Sequence, residues 1–365
     1  MKNKNILMLM ALSLAFTACG NQSPKEADTK TQVEEPQKTD KEVASDEIYG
    51  SFYPIYNLAK QIAGDKFNVK AFNSLTSESH GWEPSAKDMA ELSEAKLLFI
   101  NGAGMEEWKD SVEESLDIEM VDTSKDLDLI KASEEDHDHD HDYEDADHDH
   151  DHEDADHDHE DADHDHDHDH EDADHDHDHE EGEEGHHHHH HGEFDPHTWL
   201  SPVNVKAQAK VIADKLSEND PANKDYYQEN YEKIAADLDG IIEEYTDKFS
   251  KVENKKFIVP HQAFGYIARD FGLEQIPLAS LTSTDDPDAK AMKEVTDLAK
   301  ANKLNTVFYE AGGSDKAAKT IADEIGAKVA PLNTMEFASK EELDKEVKIQ
   351  DIIKENLENI YKSLA

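Results

Sequence analysis

Between Glu134 and Glu193 lie 60 residues that hold 31 Asp or Glu, 21 His and no Lys or Arg. With almost no apolar side chains, such a stretch cannot bury a core, and it is predicted to stay disordered without metal. It therefore interrupts the 365-residue chain, and the rest must supply every packed element. That remainder carries 56 acids against 36 Lys and Arg, the balance of an ordinary, mildly acidic globular protein. The total net charge of −51 repels phosphate backbones, so nucleic acid is excluded as a partner. A single Cys excludes an internal disulfide.

Inside the segment, Glu-Asp-Ala-Asp recurs at 144–147, 153–156, 160–163 and 171–174 between His-Asp runs, and six His follow at 186–191. Strict alternation puts imidazoles on one side of an extended chain and carboxylates on the other. Histidine's reference pKa of about 6.5 leaves neutral rings available near pH 7. A weak, high-capacity metal surface is predicted.

The chain opens with Lys2 and Lys4 and an apolar run from Ile6 to Phe16, too short to span a bilayer. Small residues lead to Cys19, the pattern of a secretory signal. The arrangement resembles a bacterial lipoprotein signal, with Phe16 where that pattern prefers Leu; it implies cleavage before Cys19 and lipidation of its thiol. Asn21 to Asp46 holds no aromatic residue and is predicted to be a tether.

Two runs of alternating strand and helix follow. Strands are predicted at Glu47–Phe52, Phe67–Phe72, Lys96–Asn101 and Ile118–Val121, with helices between them. After the acidic segment, Ser201-Pro202 opens a long helix to Asn219, and a second helix runs from Ala222 to Phe249. Strands then recur at Phe257–Val259, Gln275–Ala279, Thr306–Tyr309 and Lys328–Leu332, and Ile349–Ser363 closes the chain as a helix. This repetition implies parallel sheets covered by helices: an α/β fold of two doubly wound lobes with a cleft between them.

Only three His lie outside the acidic segment: His80, His197 and His261. Each falls in a loop or at a strand end, where open α/β sheets bind ligands. Glu310 also ends a strand, beside Gly312-Gly313. One such His is usually just a hydrogen-bonded side chain, but three with a carboxylate make a nitrogen/oxygen site suited to Zn²⁺.

The strings His80-Gly81-Trp82-Glu83-Pro84-Ser85, Asp195-Pro196-His197-Thr198-Trp199-Leu200-Ser201-Pro202 and Pro260-His261-Gln262-Ala263-Phe264-Gly265-Tyr266 carry a resemblance. They are similar to those of the zinc-binding solute-binding proteins of bacterial ABC importers, the ZnuA/AdcA type of the metal-receptor and adhesin family. The resemblance covers roughly residues 47 to 365. It implies that His80, His197 and His261 are ligands, with Glu310 the match for a second-lobe carboxylate and Glu78, Asp285 and Asp286 as other candidates. It favours zinc, because manganese-selective relatives have Glu where this chain has His261. It also implies a long rigid helix between the lobes, corresponding to Ser201–Asn219, and a His-rich loop just before the second histidine.

The predicted organisation is a signal at 1–18, lipidated Cys19 with a tether to 46, and a first lobe at 47–131. The His/Asp-rich loop takes 132–193, the ligand loop and connecting helix 194–219, and the second lobe 220–365. The function expected is a monomeric, membrane-anchored receptor, not an enzyme, that delivers extracytoplasmic Zn²⁺ to an ABC permease while the loop collects or senses the ion. Two other readings stand beside it. A metal-storage or surface adhesion protein would need only the loop, and a three-histidine zinc hydrolase would need an open coordination position and a general base.

Overall fold

A computed structural model describes residues 47–132, 192–281 and 287–365. The signal, Cys19, the tether, most of the His/Asp-rich loop, Asp285 and Asp286 lie outside the described residues.

The first sheet contains β1 (Glu47–Gly50), β2 (Asn68–Ala71), β3 (Leu97–Ile100) and β4 (Glu119–Asp122), all parallel, in the order β2-β1-β3-β4. Its helices are α1 (Tyr53–Ala63), α2 (Ala86–Leu92) and α3 (Lys109–Ser115). All four residues of β3, Leu-Leu-Phe-Ile, are buried, as a central parallel strand covered on both faces requires. β1 stops at Gly50, short of the predicted Phe52, because α1 folds directly back on it. A Cβ on Gly50 would lie 2.4 Å from the Tyr56 backbone nitrogen.

The second sheet repeats this order with β5 (Lys256–Val259), β6 (Glu274–Pro277), β7 (Thr306–Glu310) and β8 (Lys328–Leu332), as β6-β5-β7-β8. Between the two sheets the chain makes α4 (Pro202–Asn219) and α5 (Lys224–Ser250), and the second lobe adds α6 (Gly265–Phe271), α7 (Ala289–Ala301) and α8 (Lys316–Ile325). The short α9 (Lys340–Asp344) and the closing α10 (Ile349–Leu364) follow β8. In each sheet the chain steps from its first strand to one side and then crosses to the other. Both lobes therefore have a switch point at the carboxyl ends of their central strands, where a ligand site is favoured.

The connection is a helical hairpin made of the two helices expected at 201–219 and 222–249. Pro221 ends α4, and α5 turns back along it for 27 residues, about 40 Å at 1.5 Å per residue. Ser201 caps α4 by accepting from the Val203 and Asn204 amides and also bonds Asp270 of α6. Along its length α4 packs on α1, while α5 packs on α1, α6 and α10. One hydrophobic core consequently runs from Ile48 and Leu97 through Leu216, Leu238 and Tyr245 to Phe257, Val259 and Leu332. The lobes are further tied where Tyr53 Oη and Asn57 Nδ2 donate to the Val347 carbonyl at 3.1 and 2.9 Å.

Candidate metal centre

Four segments from both lobes converge at the carboxyl ends of the strands. His80 lies in the loop between β2 and α2. The Glu78 carboxylate shapes this loop by accepting from the Ser79 and His80 amides at 2.9 and 3.4 Å. His197 precedes a single 3₁₀ turn, Thr198–Leu200, that leads into α4. Asp195 Oδ1 accepts from the His197 amide at 2.9 Å and faces its Nδ1 at 2.8 Å. Asn101, at the end of β3, steadies the same turn by donating to the Pro196 carbonyl and accepting from Thr198 Oγ1. The Asp-Pro-His-Thr-Trp string is thus a buried scaffold in which one carboxylate fixes both the backbone and the ring of its histidine.

His261 follows β5, with Pro260 between them. The fourth member is Glu336, in the loop after β8. Its backbone is held by the first lobe and by the segment leading to α4. Trp199 Nε1 donates to the Thr334 carbonyl, Ser79 Oγ to the Glu336 carbonyl, and the Ala338 amide to the Leu75 carbonyl, each at 2.7 Å. Alternate residues of the loop are pinned, which turns the Glu336 side chain into the cleft beside the imidazoles.

The side chains of His80, His197, His261 and Glu336 are 9%, 0%, 8% and 1% exposed. His197 Nε2 lies 3.3 Å from His80 Nε2 and 3.4 Å from His261 Nε2. The Glu336 oxygens lie 3.7, 3.7 and 3.4 Å from the Nε2 atoms of His80, His197 and His261. A tetrahedral ion with ligands at about 2.0–2.2 Å has corners about 3.3–3.6 Å apart, because the edge of a tetrahedron is about 1.63 times its radius. The five separations, with Oε2 of Glu336 nearest His80 and Oε1 nearest His197 and His261, fall at or just above that range. One ligand atom from each of the four residues lies within 4.8 Å of the others. Glu336 Oε1 is buried and makes no hydrogen bond, a costly arrangement for a carboxylate unless something else satisfies it.

The electrostatics express the same crowding. Burial holds His80 down at about 4, since an imidazolium there would lose its water. Burial opposes charge on His197 too, but its contacts with Asp195 and Glu336 prevail and raise it to about 9. Glu336 resists burial in the same way. Its neighbours His197, His261 and Glu78 keep it well below the usual carboxylate range. Glu78 is pushed up to about 8 by burial and by its bond to and the charge of Glu336, and burial beside Glu336 also raises Glu310. Protons on His197 and Glu78 therefore neutralise a cluster that a divalent cation can neutralise instead.

The structure thus brings His80, His197 and His261 together with Glu336, while Glu310, the carboxylate the sequence suggests, lies on the other side of His261. Glu310 Oε2 faces the opposite ring nitrogen of His261, Nδ1, at 3.8 Å, and its Oε1 accepts from Thr334 Oγ1 at 2.5 Å. Glu78 and Glu310 group with Glu336, outside the quartet of mutually close ligand atoms. Glu336 was hidden in the sequence because it sits in a loop rather than at a strand end, one acid among 87. Its only local cue was a position just past the carboxyl end of a second-lobe strand, shared with many polar residues. Of the three tryptophans, Trp199 packs on His197 with ring centroids 5.2 Å apart, while Trp82 and Trp108 meet Phe72 edge to face. Met105 belongs to the core.

Comparisons with known proteins show which family has this fold. The chain is 34% identical over 369 residues to the high-affinity zinc uptake system protein ZnuA of Bacillus subtilis, covering 100% of this chain and 98% of that protein. Its fold matches the laminin-binding protein Lmb of Streptococcus agalactiae, described as a bifunctional adhesin with metal-transporting activity, with a TM-score of 0.67 and 26% identity over 88% of this chain and 100% of that one. The Zn(II)-bound ZnuA-like domain of Streptococcus pneumoniae AdcA matches with a TM-score of 0.65 and 25% identity over 88% of this chain and 99% of that one. The family model described as zinc-uptake complex component A, periplasmic, matches residues 48–363, and the chain belongs to that family.

Proposed function

We propose that the protein is a zinc receptor that captures extracytoplasmic Zn²⁺ with His80, His197, His261 and Glu336 and delivers it to the permease of an ABC importer. The observation that carries this reading is the quartet itself: three imidazole nitrogens and a carboxylate oxygen within 4.8 Å of one another, nearly shut off from solvent. Three nitrogen donors suit Zn²⁺ better than Mn²⁺, which prefers more oxygens and a larger coordination number. Four protein ligands also leave no position for an activated water, which favours carriage over hydrolysis. A purely storage role would not call for a buried quartet built from both lobes. Zinc is bound by the AdcA domain of the same fold, which supports the choice of ion.

In this reading residues 1–18 direct export, lipidated Cys19 and its tether hold the receptor as a monomer at the membrane surface, and the loop at 132–193 gathers zinc at lower affinity. The test is competition with a chromophoric chelator. One zinc should bind far more tightly than the rest, and His197→Ala should abolish that one while the weak sites survive. A His197→Ala protein that kept the tight ion would refute the assignment.

A further inference from the structure

We propose that Glu310 is a positioning residue for His261: it is the outer acceptor of the His261 Nδ1 proton and so turns the Nε2 lone pair toward the ion. This rests on the function proposed above and adds a role for a carboxylate that the quartet does not use.

An imidazole that binds a metal through Nε2 must carry its proton on Nδ1, and a buried N–H needs an acceptor. His197 displays the completed form, with Asp195 Oδ1 2.8 Å from Nδ1. Around His261 Nδ1, the Glu310 carboxylate is the only acidic group within 4.0 Å among the described residues, at 3.8 Å. Glu310 does not float there. Thr334 Oγ1 holds its Oε1 from the loop that also carries Glu336, so the free Oε2 is left to face the ring. The two oxygens of Glu310 thereby link the His261 ring to the Glu336 loop.

The separation is about 1 Å longer than a direct hydrogen bond. It can close in two ways. Glu310 is the more exposed partner, its side chain 23% exposed against 8% for His261, and turning its carboxylate about the Thr334 bond brings Oε2 closer to the ring. Alternatively one water can bridge the two from the adjoining cavity of about 250 Å³, whose lining includes Glu78, His261, Tyr309, Glu310 and Phe337. In both cases Glu310 fixes the tautomer that leaves Nε2 free to face the ion. A ligand role for Glu310 would instead require it on the Nε2 side, which Glu336 already occupies at 3.4 Å.

The test uses the full chain with Glu310→Ala, Glu310→Gln and Glu336→Ala. Zinc affinity of the tight site is measured by chelator competition, and coordination by the visible spectrum of the first equivalent of Co²⁺. Loss of the outer acceptor should weaken zinc binding by about 10- to 100-fold in Glu310→Ala. The Co²⁺ spectrum should keep its tetrahedral intensity, and the metal-free melting temperature should fall no further than loss of the single Thr334 bond explains. Glu310→Gln, which retains a carbonyl acceptor at the same place, should recover much of the loss. An unchanged affinity in Glu310→Ala would overturn the proposal, and so would a collapse of the Co²⁺ bands like that expected for Glu336→Ala. Should Glu336→Ala and His197→Ala both keep the tight ion, the receptor assignment itself would fail instead.

Discussion

Zinc binding to the quartet should eject a proton from His197, and the stoichiometry of that exchange follows from the structure. With its pKa raised to about 9, the ring carries a proton on both nitrogens at pH 7.5, one beside Asp195 and one directed at the ligand cluster. Zinc needs the second position. Removing a proton 1.5 units below its pKa costs about 2 kcal/mol, so the apparent affinity at pH 7.5 should be about 30-fold below that reached well above pH 9. Between pH 6.5 and 9, affinity should rise about tenfold per unit for this one proton. His80, held at about 4, is already neutral and adds nothing in that window. Glu78, at about 8, can add a second, partial release as the cation approaches.

The assay is isothermal titration calorimetry at pH 7.5 in phosphate, HEPES and Tris, whose ionisation enthalpies differ. The slope of observed enthalpy against buffer enthalpy counts protons released, and the first, tight phase should give one to two. The histidines of the acidic loop blur this little, since ordinary imidazoles are mostly neutral at that pH. A buffer-independent enthalpy in the tight phase, together with an affinity flat from pH 7 to 9, would show that His197 is not held protonated by Asp195 and Glu336, and the electrostatic account of the site would fall.

Other outcomes follow from the same groups. The metal-free protein should lose stability as pH rises from 6.5 to 9. The raised pKa of His197 contributes fully below 6.5 and is lost through about 9, a change of about 3 kcal/mol, and the raised pKa of Glu78 acts in the same direction up to about 8. Thermal melts with and without zinc should therefore diverge with pH, and parallel curves would contradict the assignment. Ser79→Ala removes one of the three bonds to the Glu336 loop, worth about 1 kcal/mol, and should weaken zinc binding by several-fold as read by chelator competition. Trp199→Phe leaves the Thr334 carbonyl without its partner and should cost about 1–3 kcal/mol in denaturant unfolding. Deleting 134–193 should cut the number of bound zinc ions, counted by atomic absorption after dialysis, to one while preserving its affinity.

The sequence shows the scaffold more clearly than the site. Apolar runs such as Leu97–Ile100 and the Ser201-Pro202 start announce their elements because strand burial and helix capping are local matters. The three histidines were visible because the rest of the chain has no others outside the acidic segment. The place of Glu336 beside the imidazoles was not visible, because what sets it there is long-range: bonds with Trp199, Ser79 and Leu75 that reach across at least 135 positions. The five-residue α9 was missed for a different reason. It is too short to show a helical period, although its Ser339…Glu342 capping box was readable.

The same long-range bonds bear on how an ion is exchanged. Two α/β lobes suggest a hinge that opens and shuts, yet these lobes share one core through α4, α5 and α10. Opening them as rigid bodies would expose part of that core, at about 25 cal/mol for each Å² of apolar surface. Releasing the Glu336 loop requires less: three hydrogen bonds worth about 1 kcal/mol each, to Trp199, Ser79 and Leu75, and the burial of Met335 and Ala338, a small part of that core. The cheapest motion that uncovers the quartet is therefore local, carrying Glu336 away while the Asp195-braced His197 stays fixed on its buried turn. Hydrogen exchange should reveal this order, with the Ala338 amide opening well before the amides of α4 and β5. If all of them exchanged together, whole-lobe opening would be the route instead.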